Sequence, residues 1–198
     1  MIKTKSLDEL MRNNGGFLKT SSAIEAGVSK TYIGEYVRRR NLVRVAHGLY
    51  ISEDAWPDAM YVLQVRYPLA IFSHESALFL HRISEREPNP NAITLKTGTN
   101  TSNLAKQDVR VYKVKPELHE LGLIERNSPA GHLVRTYDLE RTICDMVRSR
   151  NKIDVQELHA SLKAYVRHKD KNLPLLMRYA EEFSVLRIVK QYMEVLMS

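Results

Sequence analysis

At 198 residues, 43% of them hydrophobic, the chain is long enough for one large or two small packed units and too apolar to stay disordered. Thirty Lys and Arg against 23 Asp and Glu give a net charge of +7, which suits a polyanionic partner without requiring one. The single cysteine, Cys144, excludes an internal disulfide, no zinc cluster of Cys and His is apparent, no run approaches the roughly 18 apolar residues of a membrane span, and the opening MIKTKSLDEL has no apolar signal region. A cytoplasmic protein without membrane contact, metal or cofactor is the expectation.

Residues 1–56 read as short helices and one hairpin. In KTSSAIEAGVSKTYIGEYV, Thr20 or Ser21 is placed to cap a short helix that Gly27 ends in a left-handed conformation, and Ser29 to cap a second. Two helices joined by a turn of about three residues containing glycine form a helix-turn-helix. Ala23, Gly27 and Ile33 supply its small crossing residue, turn glycine and core aliphatic. Around the second helix, Ile33, Tyr36 and Val37 share a buried side. Thr31, Gly34, Glu35 and Arg38, with Ser29, Lys30 and Tyr32 near the start, form the side that a recognition helix turns toward a major groove. Gly34 costs about 1 kcal/mol against alanine in a helix interior, so a close neighbour is expected there, either another helix or a DNA backbone.

Arg38, Arg39 and Arg40 end this helix, where they complement the negative end of its dipole. With Arg44 and His47 they also form a group suited to phosphate oxygens. Beyond Asn41 the apolar period changes to two, with Val43 and Val45 on one face and Arg44 on the other; AHG then turns and LYI returns. That hairpin is expected to be the wing of a winged helix-turn-helix, the alternative being a basic helix and hairpin with a structural role alone.

The boundary is expected in SEDAWPD, residues 52–58, with a mixed α+β domain over 57–198. Helices are expected over 57–67 and 69–83. Strands are expected in AITLKT, DVRVYKV and GHLVRTY, and Asp138 is placed to cap a helix through LERTICDMVR. Apolar spacings of three and four predict helices over 154–167 and 175–197.

Other features have plainer explanations. Asp138, Glu140 and Asp145 in YDLERTICD invite a metal-dependent nuclease, but the first two suit a helix start, Arg141 and Asp145 lie four apart and can pair, and Cys144 suits a buried thiol. His74 and His81, with Ser73 and Ser76, lack a nucleophile elbow and are expected to pack. In KAYVRHKDK, Lys163, Arg167 and Lys169 form a solvated face or, with Lys19, additional phosphate contacts that add affinity without choosing sequence.

The block TSSAIEAGVSKTYIGEYVRRRNLVRVAHGLYI resembles the winged-helix domain of the AbiEi antitoxin family of bacterial type IV toxin-antitoxin systems, and SHESALFLH and YDLERTICD resemble that family's second-domain motifs in the same order. The resemblance spans most of residues 6–148 and carries DNA contact onto Ser29, Lys30, Thr31, Tyr32 and Arg38 in the second helix, and Arg44 and His47 in the wing. It implies a non-enzymatic repressor that binds inverted repeats in its own promoter beside a second copy of itself. It further implies opposition to an AbiEii-like nucleotidyltransferase toxin without a stable complex. The rival readings are a winged-helix regulator with a ligand-sensing second domain, an enzyme acting on nucleic acid, and an RNA-binding protein.

Overall fold

The structure is a computed structural model that describes residues 2–104 and 107–197. It has a mixed α+β fold and divides into two compact units, one of residues 1–68 and 127–133, the other of residues 69–126 and 134–198. The division therefore falls at Pro68 rather than at residue 56, and the first unit takes back a short stretch from far along the chain.

In the first unit the order is α1 (Ile2–Asn13), β1 (Phe17–Lys19), α2 (Thr20–Glu25), α3 (Lys30–Arg39), β2 (Val43–Ala46), β3 (Leu49–Ile51) and α4 (Ala59–Arg66). The three strands form an antiparallel sheet in the order β1-β3-β2. β1 was not foreseen; it pairs Phe17 with Ile51 and Lys19 with Leu49. Leu7, Leu18, Ala23, Val28, Ile33 and Tyr36 make one core of this unit, and Phe17, Ala46, Leu49 and Ile51 make another. Neither Thr20 nor Ser21 caps α2: Lys19 is the capping residue and provides no side-chain bond. Gly27 does end α2, at φ +80°, with the Val28 amide donating to the Ala23 carbonyl. Ser29 caps α3 by accepting from the Tyr32 amide. The hairpin turns through His47 and Gly48, but an irregularity between Arg44 and Ala46 breaks the simple alternation, so Val43 is exposed.

The second unit holds β4 (Ile71–Phe72), α5 (His74–Leu80), β5 (Asn91–Lys96), β6 (Val109–Val114), a short 3-10 turn, β7 (Leu123–Asn127), β8 (Leu133–Tyr137), α6 (Leu139–Arg148), α7 (Val155–Arg167), α8 (Leu173–Glu182) and α9 (Leu186–Met197). The sheet order is β6-β5-β4-β8-β7, with β5 parallel to β6. Two expected helices are corrected. Residues 69–83 are not one helix: Ile71 and Phe72 form a buried central strand, and α5 begins only at His74, which adopts φ +50°. Residues 175–197 are two helices, broken where Ser184 takes φ +55°. The apolar stripe runs on across the break because Phe183, Val185 and Val189 enter the same core as Leu176 and Ala180.

Helix α6 is the axis of this core. Asp138 caps it, accepting from the Arg141 amide at 2.8 Å, and every residue from Leu139 to Val147 is buried. Arg141 pairs with Asp145 at 3.0 Å, both fully buried, and donates to the carbonyls of Leu118 and Leu121. Its guanidinium lies 4.0 Å from the Tyr137 ring centroid and 4.1 Å from that of Phe183. Glu140 accepts from the Tyr165 hydroxyl and the Asn172 amide. The acidic motif thus ties helices together, and its carboxylates are spent on protein partners. Burial pushes the Cys144 thiol up, so it stays protonated.

Candidate nucleic-acid interface

Helix α3 sorts its residues as its period dictates. Ile33 and Tyr36 are buried, Val37 packs partly against the core, and Lys30, Thr31, Gly34, Glu35, Arg38 and Arg39 are exposed. A Cβ added at Gly34 would meet no atom within 4 Å. Packing against a neighbouring helix therefore does not explain this glycine.

The inner side is fixed by a polar network. The Tyr36 hydroxyl donates to Asp8 of α1 at 2.5 Å, and Arg40 pairs with the same carboxylate at 2.7 Å. That hydroxyl bond, then the nearby Arg40, holds the Asp8 carboxyl below its usual range; burial first, then Asp8, pushes Tyr36 up to about 12. Two of the expected contact residues are partly spent on the same task. Tyr32, half-buried, bonds Thr4 of α1 through its hydroxyl, and an Arg39 Nη donates to the Thr4 hydroxyl at 3.5 Å. Ser29 uses its oxygen on the cap. Lys30, Thr31, Glu35 and Arg38 remain as the outward polar groups of the helix.

In the hairpin, Arg44 donates through Nε to the Ala46 carbonyl at 3.3 Å and lies 3.0 Å from His47 Nδ1 through one Nη. Both residues are exposed. Two of five guanidinium protons are then engaged, which orients the group and leaves the others for an oxyanion. Arg66 of α4 donates to the Val45 carbonyl at 2.7 Å and braces the same strand. Lys19 is exposed at the end of β1. Lys163 and Arg167, one turn apart on α7, and Lys169 beyond it are exposed in the second unit.

A buried cluster in the first unit went unread in the sequence. Asp58 caps α4, accepting from the Tyr61 amide at 2.9 Å, while its other oxygen takes the Ser128 hydroxyl at 2.5 Å and His132 Nδ1 at 2.6 Å. The remaining ring nitrogen of His132 lies 3.3 Å from the Asn14 carbonyl, and the ring stacks on Tyr61 with centroids 4.3 Å apart. Serine, histidine and aspartate are all present, but Ser128 bonds the carboxylate rather than the imidazole, and His132 Nε2 faces a backbone carbonyl, so no serine nucleophile is activated here. The cluster clasps residues 128–132 into the first unit.

In the second unit, His74 is wholly buried between the hydroxyls of Ser73 and Ser149, at 3.0 and 2.9 Å, and His81 faces the Tyr137 carbonyl at 2.8 Å. Burial lowers both to about 4. They are neutral packing groups. Among the described residues no group of three His, Cys, Asp or Glu side chains is arranged to hold a metal, and no helix is long and apolar enough to cross a membrane.

No protein-family profile matches the chain, and no curated protein matches it. Among solved structures, the crystal structure of the Rv2827c protein from Mycobacterium tuberculosis resembles it with a TM-score of 0.59 at 15% identity, over 98% of this chain and 80% of that one. At that identity the likeness concerns the fold.

Proposed function

We propose that the first unit is a winged helix-turn-helix that reads double-stranded DNA with α3 and steadies the adjacent backbone with the β2–β3 hairpin. The order α1-β1-α2-α3-β2-β3, with its sheet ordered β1-β3-β2, supports that assignment. The observation that carries the DNA reading is the outward side of α3: Lys30, Thr31 and Arg38 exposed around a mid-helix glycine with open space above it. A glycine that costs helix stability and packs against nothing leaves room for a close external surface.

On this reading the protein is a cytoplasmic, non-enzymatic antitoxin. It represses its own operon by occupying inverted promoter repeats as two copies and opposes an AbiEii-like nucleotidyltransferase toxin without a stable complex. The antitoxin part rests on SHESALFLH and YDLERTICD and their likeness to the AbiEi family. Burial of Glu140 and Asp145 with protein partners favours it over a nuclease using the same motif. The test is co-expression with the neighbouring gene, scoring growth, alongside a reporter driven by the upstream promoter. The wild-type chain restores growth and silences the reporter, whereas a Lys30→Ala, Arg38→Ala, Arg44→Ala variant restores growth and releases the reporter. Failure of the wild-type chain to restore growth refutes the antitoxin role.

A further inference from the structure

Glu35 stands on the outward side of α3 among residues of the opposite charge. At about 100° per residue, Thr31, Glu35 and Arg38 fall on one stripe of the helix, opposite the buried Ile33 and Tyr36, and all three are exposed. At about 1.5 Å rise per residue the stripe is roughly 10 Å long, about the span of three base-pair steps in a duplex.

A glutamate on a helix can pair with a cation three or four residues on, and here those positions hold Arg38 and Arg39. Neither pairs with it. Arg39 donates to the Thr4 hydroxyl and lies over the Tyr36 ring, 5.9 Å from its centroid, and no ion pair among the described residues includes Glu35 or Arg38. Arg40, one residue further, is taken by Asp8. The carboxylate is thus left without a protein partner among the described residues, beside Gly34, above which the space is open.

Such a carboxylate on a surface that meets DNA is repelled by phosphates and lowers affinity unless it reaches base edges. In the major groove guanine presents two acceptors, thymine one, adenine an acceptor beside its amine, and cytosine an amine donor alone. Glutamate accordingly accepts from cytosine N4, as arginine donates to guanine O6 and N7. Glu35 and Arg38 are about 4.5 Å apart along the helix axis, a separation that suits bases one or two steps apart.

We propose that Glu35 is a specificity-determining residue of α3, its carboxylate accepting from the exocyclic amine of a cytosine one or two base pairs from a guanine held by Arg38. The assignment rests on the DNA reading of α3 given above and adds to it one base that the helix selects and the residue that rejects the others. Its effect is mainly exclusion: opposite a wrong base the carboxylate faces an acceptor and has no partner of its own.

The experiment is enrichment of duplexes from a pool with a randomised centre by the full chain and by its Glu35→Gln, Glu35→Ala and Arg38→Ala variants. Affinities are then measured for the enriched duplex, its single-pair variants and a scrambled duplex. The wild-type chain is expected to enrich a sequence in which replacing one C·G pair weakens binding roughly tenfold or more. Glu35→Gln should enrich the same sequence with adenine in place of that cytosine, because glutamine bonds adenine N6 and N7. Glu35→Ala should accept any pair there and lose no affinity for the scrambled duplex. Both Glu35 variants should keep the wild-type thermal midpoint, since the side chain is exposed. The inference alone is overturned if Arg38→Ala changes the enriched sequence while Glu35→Gln leaves it as in wild type. It is equally overturned if both Glu35 variants bind every duplex tighter by one common factor, the mark of repulsion from phosphates. Absence of any enriched sequence with the wild-type chain overturns the DNA reading and the inference together.

Discussion

Helices α3 and α6 are both ten residues long, both are capped by a short polar side chain that accepts a backbone amide, and both carry arginines beside a glutamate. In α6 the charged groups are inside: Arg141 and Asp145 are fully buried and Glu140 nearly so. In α3 only Ile33 and Tyr36 are buried, and Lys30, Glu35, Arg38 and Arg39 face outward. The same residue types therefore serve architecture in one helix and are left exposed to solvent in the other. What decides is whether the sheet and flanking helices wrap all sides of the helix or one.

The sharpest way to break this contrast is to remove a buried charge. Arg141→Ala leaves the buried Asp145 with only the Arg148 guanidinium as a partner and strips two carbonyls of their donor. A loss of about 3–5 kcal/mol is expected in urea unfolding, whereas Arg38→Ala changes stability by no more than about 0.5 kcal/mol. Equal effects would erase the distinction.

Acid probes the same asymmetry through His74 and His81, whose values fall from 6.5 to about 4 on burial. Between those two values the unfolded chain binds protons that the folded chain refuses. Stability contributed by keeping them neutral is thus complete above about pH 6.5 and drains away as pH falls toward 4. Each histidine accounts for about 3 kcal/mol at ~1.36 kcal/mol per tenfold change in proton affinity. Replacing both with glutamine should flatten the decline in thermal midpoint across that window, and an unchanged slope would count against burial as the cause.

The smallest effect is the most pointed. Gly34→Ala should stabilise the fold by up to about 1 kcal/mol, because the position is helical and open. The added methyl should at the same time weaken DNA binding, since it fills the space kept for close approach. Stabilisation with undiminished binding would leave the glycine without a role at an interface.

What was legible in the sequence was local. Ser29, Gly27 and Asp138 act on amides or turns within a few residues, and each is found doing so. The i to i+4 pairing of Arg141 with Asp145 was readable for the same reason. What escaped was settled by distant partners. Asp58 looked like part of a linker, yet Ser128 and His132, 70 and 74 positions away, make it a buried anchor. Ile71 and Phe72 read as helix because two apolar residues have no period of their own; β5 and β8 on either side make them a strand. In residues 175–197 the helical spacing continued through a bend because both helices face one core. For the site, the side of α3 followed from its period, but the engagement of Tyr32 and Arg39 by Thr4 needed α1 in place.

The most direct measurement is the equilibrium affinity of the full chain, and of its Lys30→Ala, Arg38→Ala variant, for the duplex upstream of its own gene and for a scrambled duplex, at one fixed salt concentration. The expected result is a wild-type preference for the upstream duplex, with the variant folded, roughly ten- to hundredfold weaker on it, and losing most of that preference, as removal of contacts worth about 1–3 kcal/mol requires. Equal wild-type affinity for both duplexes, or an undiminished variant, would contradict a DNA-reading role for α3.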